Sequence, residues 1–410
     1  MKRNLLKICA VIFALVLTLG MSSAVFATDM GTGGTAGSLD NPAGNSVTLK
    51  KAIKVINHDG ITVGSDSGQA YAPTVTYTYT LSSGSAGGTV TNGNTTVNYK
   101  PGIVGGESSY LASTSAAVQT AEFLKTEHAA SESSITKDIT WTFDPAKFPS
   151  AGVYRFVVTE TFEGTLTGPS AIGIDRPEGY DTTKFLDVYV QNKNNALVIY
   201  GYALVNEEAE AVTTDSAKSQ GWNAETDLDV YETYNVTVKK IIAGTGADMT
   251  AMFPFTINIA GALDRANISL AGTGNSSMTG TSAIDVSSSL GNGQTVIIQG
   301  LPKTSQYDVM EGNETPDAYT VSASVTNLTP GGIPVEDNPT LPGNTDKPIK
   351  IVTGCNMDQA EGAVTIEVTN TLNAISPTNV IMRFAPFLFI FGAAILLLVV
   401  MRRRRTHDAE

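Results

Sequence analysis

From residue 45 onward, apolar and polar residues alternate with a period of two. Val47, Leu49, Ile53 and Val55 share one parity, and the same alternation returns at Val75–Leu81, Val153–Glu160, Phe185–Gln191 and Leu197–Leu204. A second series begins at Asn235 and runs through Phe253–Ile259, Thr295–Gln299, Tyr307–Glu311, Tyr319–Val325 and Val364–Asn370. Gly, Asn, Ser and Asp fill the intervals. Short alternating runs separated by turn residues predict β-strands with one buried face, and two such series predict two tandem β-sandwiches. The fold class expected is therefore all-β, with domains at 45–233 and 234–373. Ser83–Ser134 reads as a long polar insertion whose one helix-like piece is Ser115–His128.

The two ends break the alternation. Residues 1–27 begin with Lys2, Arg3 and Lys7, continue through the apolar run Ile8–Leu19, and close on Val25-Phe26-Ala27. A basic start, a short apolar run and small residues before the break predict a cleaved signal peptide. The run is short for a bilayer span, which takes about 20 residues. Residues 28–44 are a Gly/Thr/Ala-rich lead-in without periodicity. At the far end Val380–Met401 is almost wholly apolar and is followed by Arg402–Arg405. Such a segment predicts a transmembrane helix with its basic cluster on the cytoplasmic side. The body of the chain is then extracellular.

Charge narrows the function classes. The sequence holds 26 Lys and Arg against 39 Asp and Glu, a formal net charge of −13, and loss of its basic ends makes it more acidic still. Nucleic-acid binders present basic faces, so that class is excluded. Cys9 leaves with the signal peptide, and Cys355 as the sole remaining cysteine offers no intramolecular disulfide. An exported β-rich chain normally has some covalent staple.

Five polar residues stand where the alternation puts core. Lys51 lies on the apolar parity of the first strand, and Lys240 lies with Val236, Val238 and Ile242 at the start of the second series. Glu160 follows Tyr154, Phe156 and Val158, and Glu311 follows Tyr307 and Val309. Asn370 completes the parity of Val364, Ile366 and Val368. Each predicted sandwich thus buries a lysine and a glutamate, and buried charges are rare unless paired or neutralised.

Those residues carry a resemblance. The segments SVTLKKAIKV, GVYRFVVTET, YNVTVKKIIAGTG, GQTVIIQGLPKTSQYDVMEG and VTIEVTNTLNAISPTNV resemble the isopeptide-linkage domains of Gram-positive backbone pilins, which are Ig-like (Cna-B-like) sandwiches. In that family a first-strand lysine bonds covalently to a last-strand asparagine with the help of a glutamate. The resemblance implies a bond between Lys240 and Asn370 with Glu311 as catalyst. In the first domain it implies Lys51, with Glu160 as catalyst and Asp229 in the place of the asparagine. Asp229 is a departure, since it shares parity with Asp227 and Tyr231 while Leu228 and Val230 face the other way; Asn235 or no bond are the alternatives. Residues 374–410 resemble a sortase sorting signal: Ile375-Ser376-Pro377-Thr378-Asn379, the apolar span 380–401 and the basic tail. Asn379 replaces the usual glycine. Cleavage is implied between Thr378 and Asn379, with Pro377 in the motif. Lys218 lies in the region from which similar pilins supply the amine that joins subunits.

Other chemistry is sparse. His58, His128 and His407 are widely separated and have no metal-ligand spacing. No phosphate loop, serine elbow or paired catalytic carboxylates stand out, so neither a cofactor nor a metal is expected and the chain is not expected to be an enzyme. The expectation is the shaft subunit of a sortase-assembled pilus, anchored in the cell wall, with sortase, further pilin subunits and peptidoglycan as partners. A monomeric wall-anchored adhesin or accessory pilin, binding a host surface ligand, is the alternative.

Overall fold

The computed structural model describes residues 44–58, 68–85, 87–92, 95–163, 168–208, 221–223, 227–312, 319–328, 349–372, 390 and 393–398. The signal peptide, nearly all of the lead-in, Lys218, and Pro377, Thr378 and Asn379 lie outside the described residues. Residues 390 and 393–398 are helical, with the side chains of Ile390, Ile395, Leu396, Leu397 and Leu398 exposed. Among the described residues no helix is long and apolar enough to cross a membrane.

The rest of the described chain is mostly β-structure, with four short 3-10 turns at Pro145–Lys147, Pro169–Ile172, Leu263–Arg265 and Met357–Gln359. Ten strands organise the chain: β1 (Ser46–His58), β2 (Val75–Ser83), β3 (Gly152–Phe162), β4 (Thr183–Lys193), β5 (Ala196–Val205), β6 (Asp229–Ala243), β7 (Phe253–Ala260), β8 (Gln306–Glu311), β9 (Tyr319–Leu328) and β10 (Ala360–Leu372). Their pattern is the one a half-buried pleated strand demands. In β2, Val75, Tyr77, Tyr79 and Leu81 are buried while Thr76, Thr78 and Thr80 between them are part-exposed.

A nine-stranded sheet runs through the whole molecule. β1 pairs with Ser133–Thr142 on one side and with β6 on the other, and β6 continues on to pair with Thr295–Pro302 and with β10, which pairs β9. A seven-stranded sheet containing β5, β4, β3 and β2 in that order faces the first part. A five-stranded sheet containing β7 and β8 belongs with the second. Two large hydrophobic cores result, beside a small cluster of Tyr189, Ala203 and Val205. One gathers residues from Val47 to Tyr231, including Trp141 and Trp222; the other runs from Tyr234 to Val368.

β6 belongs to both. Residues 229–234 pair in parallel with β1, and residues 236–243 pair in parallel with β10. The strand closes one sandwich and opens the next without a linker. The register against Thr295–Pro302 shifts between Tyr234 and Val236, so Asn235 stands opposite a bulge formed by Gln299 and Gly300.

The insertion differs from its reading. Ser115–His128 contains no helix: Val118–Phe123 is a strand on the edge of β2, and His128–Ala130 pairs with Gln69–Tyr71. Ala121 and Phe123 are buried beside exposed Thr120 and Glu122, a period of two that pairing with β2 rewards over local helix propensity.

Candidate crosslinking sites

In the second sandwich Lys240, Glu311 and Asn370 converge in the core, and each is at most 1% exposed. The parallel register of β6 and β10 sets Ile242 beside Asn370, so Lys240 sits one pleat earlier on the same inward face. Glu311 comes from β8 in the five-stranded sheet, paired with Phe255 of β7. Lys240 Nζ donates to Glu311 Oε1 at 3.1 Å and Oε2 at 3.2 Å, and Asn370 Nδ2 donates to Glu311 Oε1 at 2.7 Å. Asn370 Oδ1 is buried without a hydrogen-bond partner. The ring of Phe253 lies 4.2 Å from Lys240 Nζ and that of Phe255 5.7 Å away.

This environment shifts both titrating groups toward neutrality. Burial brings the Lys240 amine down to about 8, although Glu311 pulls the other way. Burial also raises the Glu311 carboxyl, partly offset by Lys240 and Asn370. A neutral lysine is the nucleophilic form, and a neutral carboxylic acid can donate a hydrogen bond.

The first sandwich repeats the register. Ile53 pairs with Asp229 along the parallel β1–β6 contact, which again leaves the lysine, Lys51, one pleat before the partner of its candidate acceptor. Glu160 arrives from β3 in the facing sheet. Lys51 Nζ donates to Asp229 Oδ2 at 2.8 Å and lies 3.5 Å from Glu160 Oε2. Both sites therefore bring a lysine and its candidate acceptor together on one sheet and a glutamate from the other.

What surrounds the first site is different. Tyr180 Oη accepts from Lys51 Nζ at 2.7 Å and lies 2.8 Å from each oxygen of Glu160. Tyr77 donates to Asp229 Oδ2 and Tyr79 to Glu160 Oε2, both at 2.6 Å. Arg176 donates to Glu160 Oε1 at 2.6 Å and to Asp229 Oδ1 at 3.2 Å. The apolar pocket of the second site is replaced by a dense polar cluster.

The parity conflict at Asp229 resolves here. Asp227, Asp229 and Tyr231 are the buried set, and each acid meets a buried lysine: Asp229 with Lys51, Asp227 with Lys184 at 3.0 Å. Asn235 is six residues further along β6, about 20 Å at strand rise, and its Oδ1 accepts from the Gly300 amide across the bulge. Its place is at the bulge and not with Lys51.

Sequence reading missed Tyr77, Tyr79, Arg176, Tyr180 and Lys184. Tyr77 and Tyr79 share the apolar parity of β2, and Lys184 shares that of Leu186, Val188 and Val190, so a search for polar atoms on buried parities finds them. Arg176 and Tyr180 stand in the loop before β4, where no periodicity points to them. Among the described residues no group of three or more His, Cys, Asp or Glu side chains is arranged to hold a metal ion. Cys355 is buried, and burial raises its thiol above the usual value.

Comparison with known proteins adds three findings. Residues 234–340 match a family described as a domain of unknown function (DUF7601). No curated protein matches the chain. Among solved structures, the major pilin of Streptococcus pyogenes is 18% identical with a TM-score of 0.44, covering 80% of this chain and 99% of its own. The T3.2 major pilin of the same organism is 20% identical, with a TM-score of 0.42 and coverage of 80% and 100%. A pilus-presented adhesin is 17% identical over 47% of this chain and 37% of its own, with a TM-score of 0.22.

Proposed function

We propose that this chain is a structural subunit of a sortase-assembled pilus, self-crosslinked in each sandwich, secreted and anchored to the cell wall. The observation that carries the reading is the repeated constellation: a fully buried lysine, a glutamate from the facing sheet, and an Asn or Asp one pleat along the parallel neighbour. Such an arrangement costs stability as an ion pair alone, because desolvation of two charges offsets much of their attraction. It gains a purpose if the pair condenses.

At the second site Lys240 Nζ, as the neutral amine, attacks Asn370 Cγ. A half-turn of the carboxamide exchanges Nδ2 and Oδ1, and protonated Glu311 then donates to the carbonyl oxygen, which has no other partner. The Nζ–Cγ bond forms, the Cγ–Nδ2 bond breaks, and Glu311 moves a proton to the departing nitrogen, which leaves as ammonia. At the first site Lys51 and Asp229 condense with loss of water. The fold holds the partners in contact, so no encounter has to be awaited. Both reactants are consumed, so there is no turnover and the chain is not an enzyme.

The remaining parts of the reading rest on the sequence. A sortase would cleave after Thr378 and pass that carbonyl to Lys218 of the next subunit or to peptidoglycan. A host surface ligand belongs to the adhesin alternative.

Intact mass of residues 28–373 beside Lys51→Ala and Lys240→Ala tests the crosslinks. The expected deficit is one ammonia plus one water, the ammonia returning in Lys240→Ala and the water in Lys51→Ala. A wild-type mass equal to the sequence mass removes the self-crosslinking function.

A further inference from the structure

The two sites differ in how the lysine reaches its glutamate. Lys240 donates to Glu311 directly, at 3.1 and 3.2 Å. Lys51 does not make that bond: Glu160 Oε2 is 3.5 Å away, and the Tyr180 hydroxyl stands between, 2.7 Å from Nζ and 2.8 Å from both carboxylate oxygens. The acceptor differs as well. A carboxylate carbon is a poorer electrophile than a carboxamide carbon, and its oxygen must take up two protons to leave as water where the amide nitrogen needs one to leave as ammonia.

From this geometry we infer that Tyr180 is a catalytic residue of the first site, a hydroxyl relay that carries the lysine's proton to Glu160. The inference rests on the crosslinking reading of that site. The Tyr180 hydroxyl takes a proton from the Lys51 ammonium as it passes its own to Glu160. The freed amine attacks Asp229 Cγ and the Nζ–Cγ bond forms. Glu160 returns its proton to a departing Asp229 oxygen, the adduct nitrogen gives up a second, and the Cγ–O bond breaks. Ammonium plus carboxylate has become secondary amide plus water, with two of the three ammonium protons in the water and no net change of charge.

The neighbours suit these roles. Tyr77 and Arg176 hold the two oxygens of Asp229, fixing its carbon beside Nζ. Tyr79 and Arg176 hold Glu160. Tyr180 alone among these hydroxyls touches both the lysine nitrogen and the glutamate. It lies in the loop before β4, supplied independently of the two strands that carry the reacting pair.

The test follows the full-length chain made by cell-free translation in detergent, quenched in acid at intervals and weighed intact. Ammonia loss at Lys240 and Asn370 in the same molecule serves as an internal clock. Tyr180→Phe keeps the ring and removes the relay. We expect water loss to slow about a hundredfold, the usual worth of positioned proton transfer, with ammonia loss unchanged. The slow reaction should accelerate with rising pH, because solvent base must now free the amine, while the wild type responds less. Tyr202→Phe removes a hydroxyl from the same hydrophobic core, where it bonds the Gly44 carbonyl away from the site, and should keep pace with the wild type; equal slowing in both variants overturns the relay as a mere packing effect. A Tyr180→Phe chain that loses water at the wild-type rate and with its pH profile also overturns it. If the wild type never loses water, the first-site crosslink itself fails and the relay with it, a result separate from either of those.

Discussion

Lys240 enters the core as a base whose charged form is disfavoured, and that has a consequence at the scale of one proton. With the amine held near 8 in the fold and near its ordinary 10.5 in the unfolded chain, the unfolded state binds more protons between those values. Stability of an uncrosslinked chain therefore rises as pH climbs from about 8 to 10.5, by up to about 3 kcal/mol for a single group shifted that far. Asn370→Ala removes the acceptor and leaves the amine. Denaturant unfolding of that variant across this pH range should show the rise, measured against Lys240→Met, which has no amine to titrate. The wild type should lack it, because its amine is spent in the amide. Parallel pH profiles in all three proteins would contradict a buried free lysine in the variant.

At the scale of the strand, what matters is register. β6 meets β1 and β10 so that the lysine precedes the partner of its acceptor by one pleat in both sandwiches. Lys239, the adjacent residue, points to the other face, where it bonds Glu367 at 3.0 Å. The end of β6 is held close to β10 by Gly244, whose φ is +102° and whose added Cβ would lie 2.4 Å from the Leu372 carbonyl oxygen. Gly244→Ala should cost about 2 kcal/mol from the left-handed backbone and the clash, read by chemical denaturation in the Asn370→Ala background, where no crosslink masks the loss. An unchanged midpoint would mean that the strands do not close there as tightly as the fold requires. Period-two alternation made most of this legible in the sequence: β1, β2, β6 and β10 stand where their parity put them, and Lys51, Glu160, Lys240, Glu311 and Asn370 are buried as parity required. Asp229 was harder to read because its buried parity is the polar one, rescued by two lysines from other strands. Val118–Phe123 reads as part of a helix-like piece on local composition, since the pairing with β2 that makes it a strand is a long-range contact. Arg176 and Tyr180 were invisible for the same reason: a loop residue's position depends on tertiary packing and leaves no period behind.

Across the whole molecule the two bonds would define where tension runs. Force entering at β1 would pass through the Lys51–Asp229 amide into β6, travel about 36 Å of extended strand at the usual rise, cross the Lys240–Asn370 amide and leave at the end of β10. Everything between each bonded pair would be off that path. The closed loops also restrict the unfolded chain, by about 5 kcal/mol each if treated as a disulfide-like crosslink. Pulling separates this from ordinary sandwich strength. Lys51 and Asp229 are 178 positions apart in the chain yet in contact in the fold, so breaking that bond genetically should release about 600 Å of contour length when the first sandwich opens, at the reach of an extended chain. Lys240→Ala should release roughly 450 Å from the second. In the wild type neither step should appear at forces that extend both variants, because an amide between neighbouring parallel strands must break covalently before the sandwich interior is loaded. Release of either length from the unmodified chain would show that its strands bear the load through hydrogen bonds alone, and would leave the buried lysines as ion pairs with no mechanical part to play.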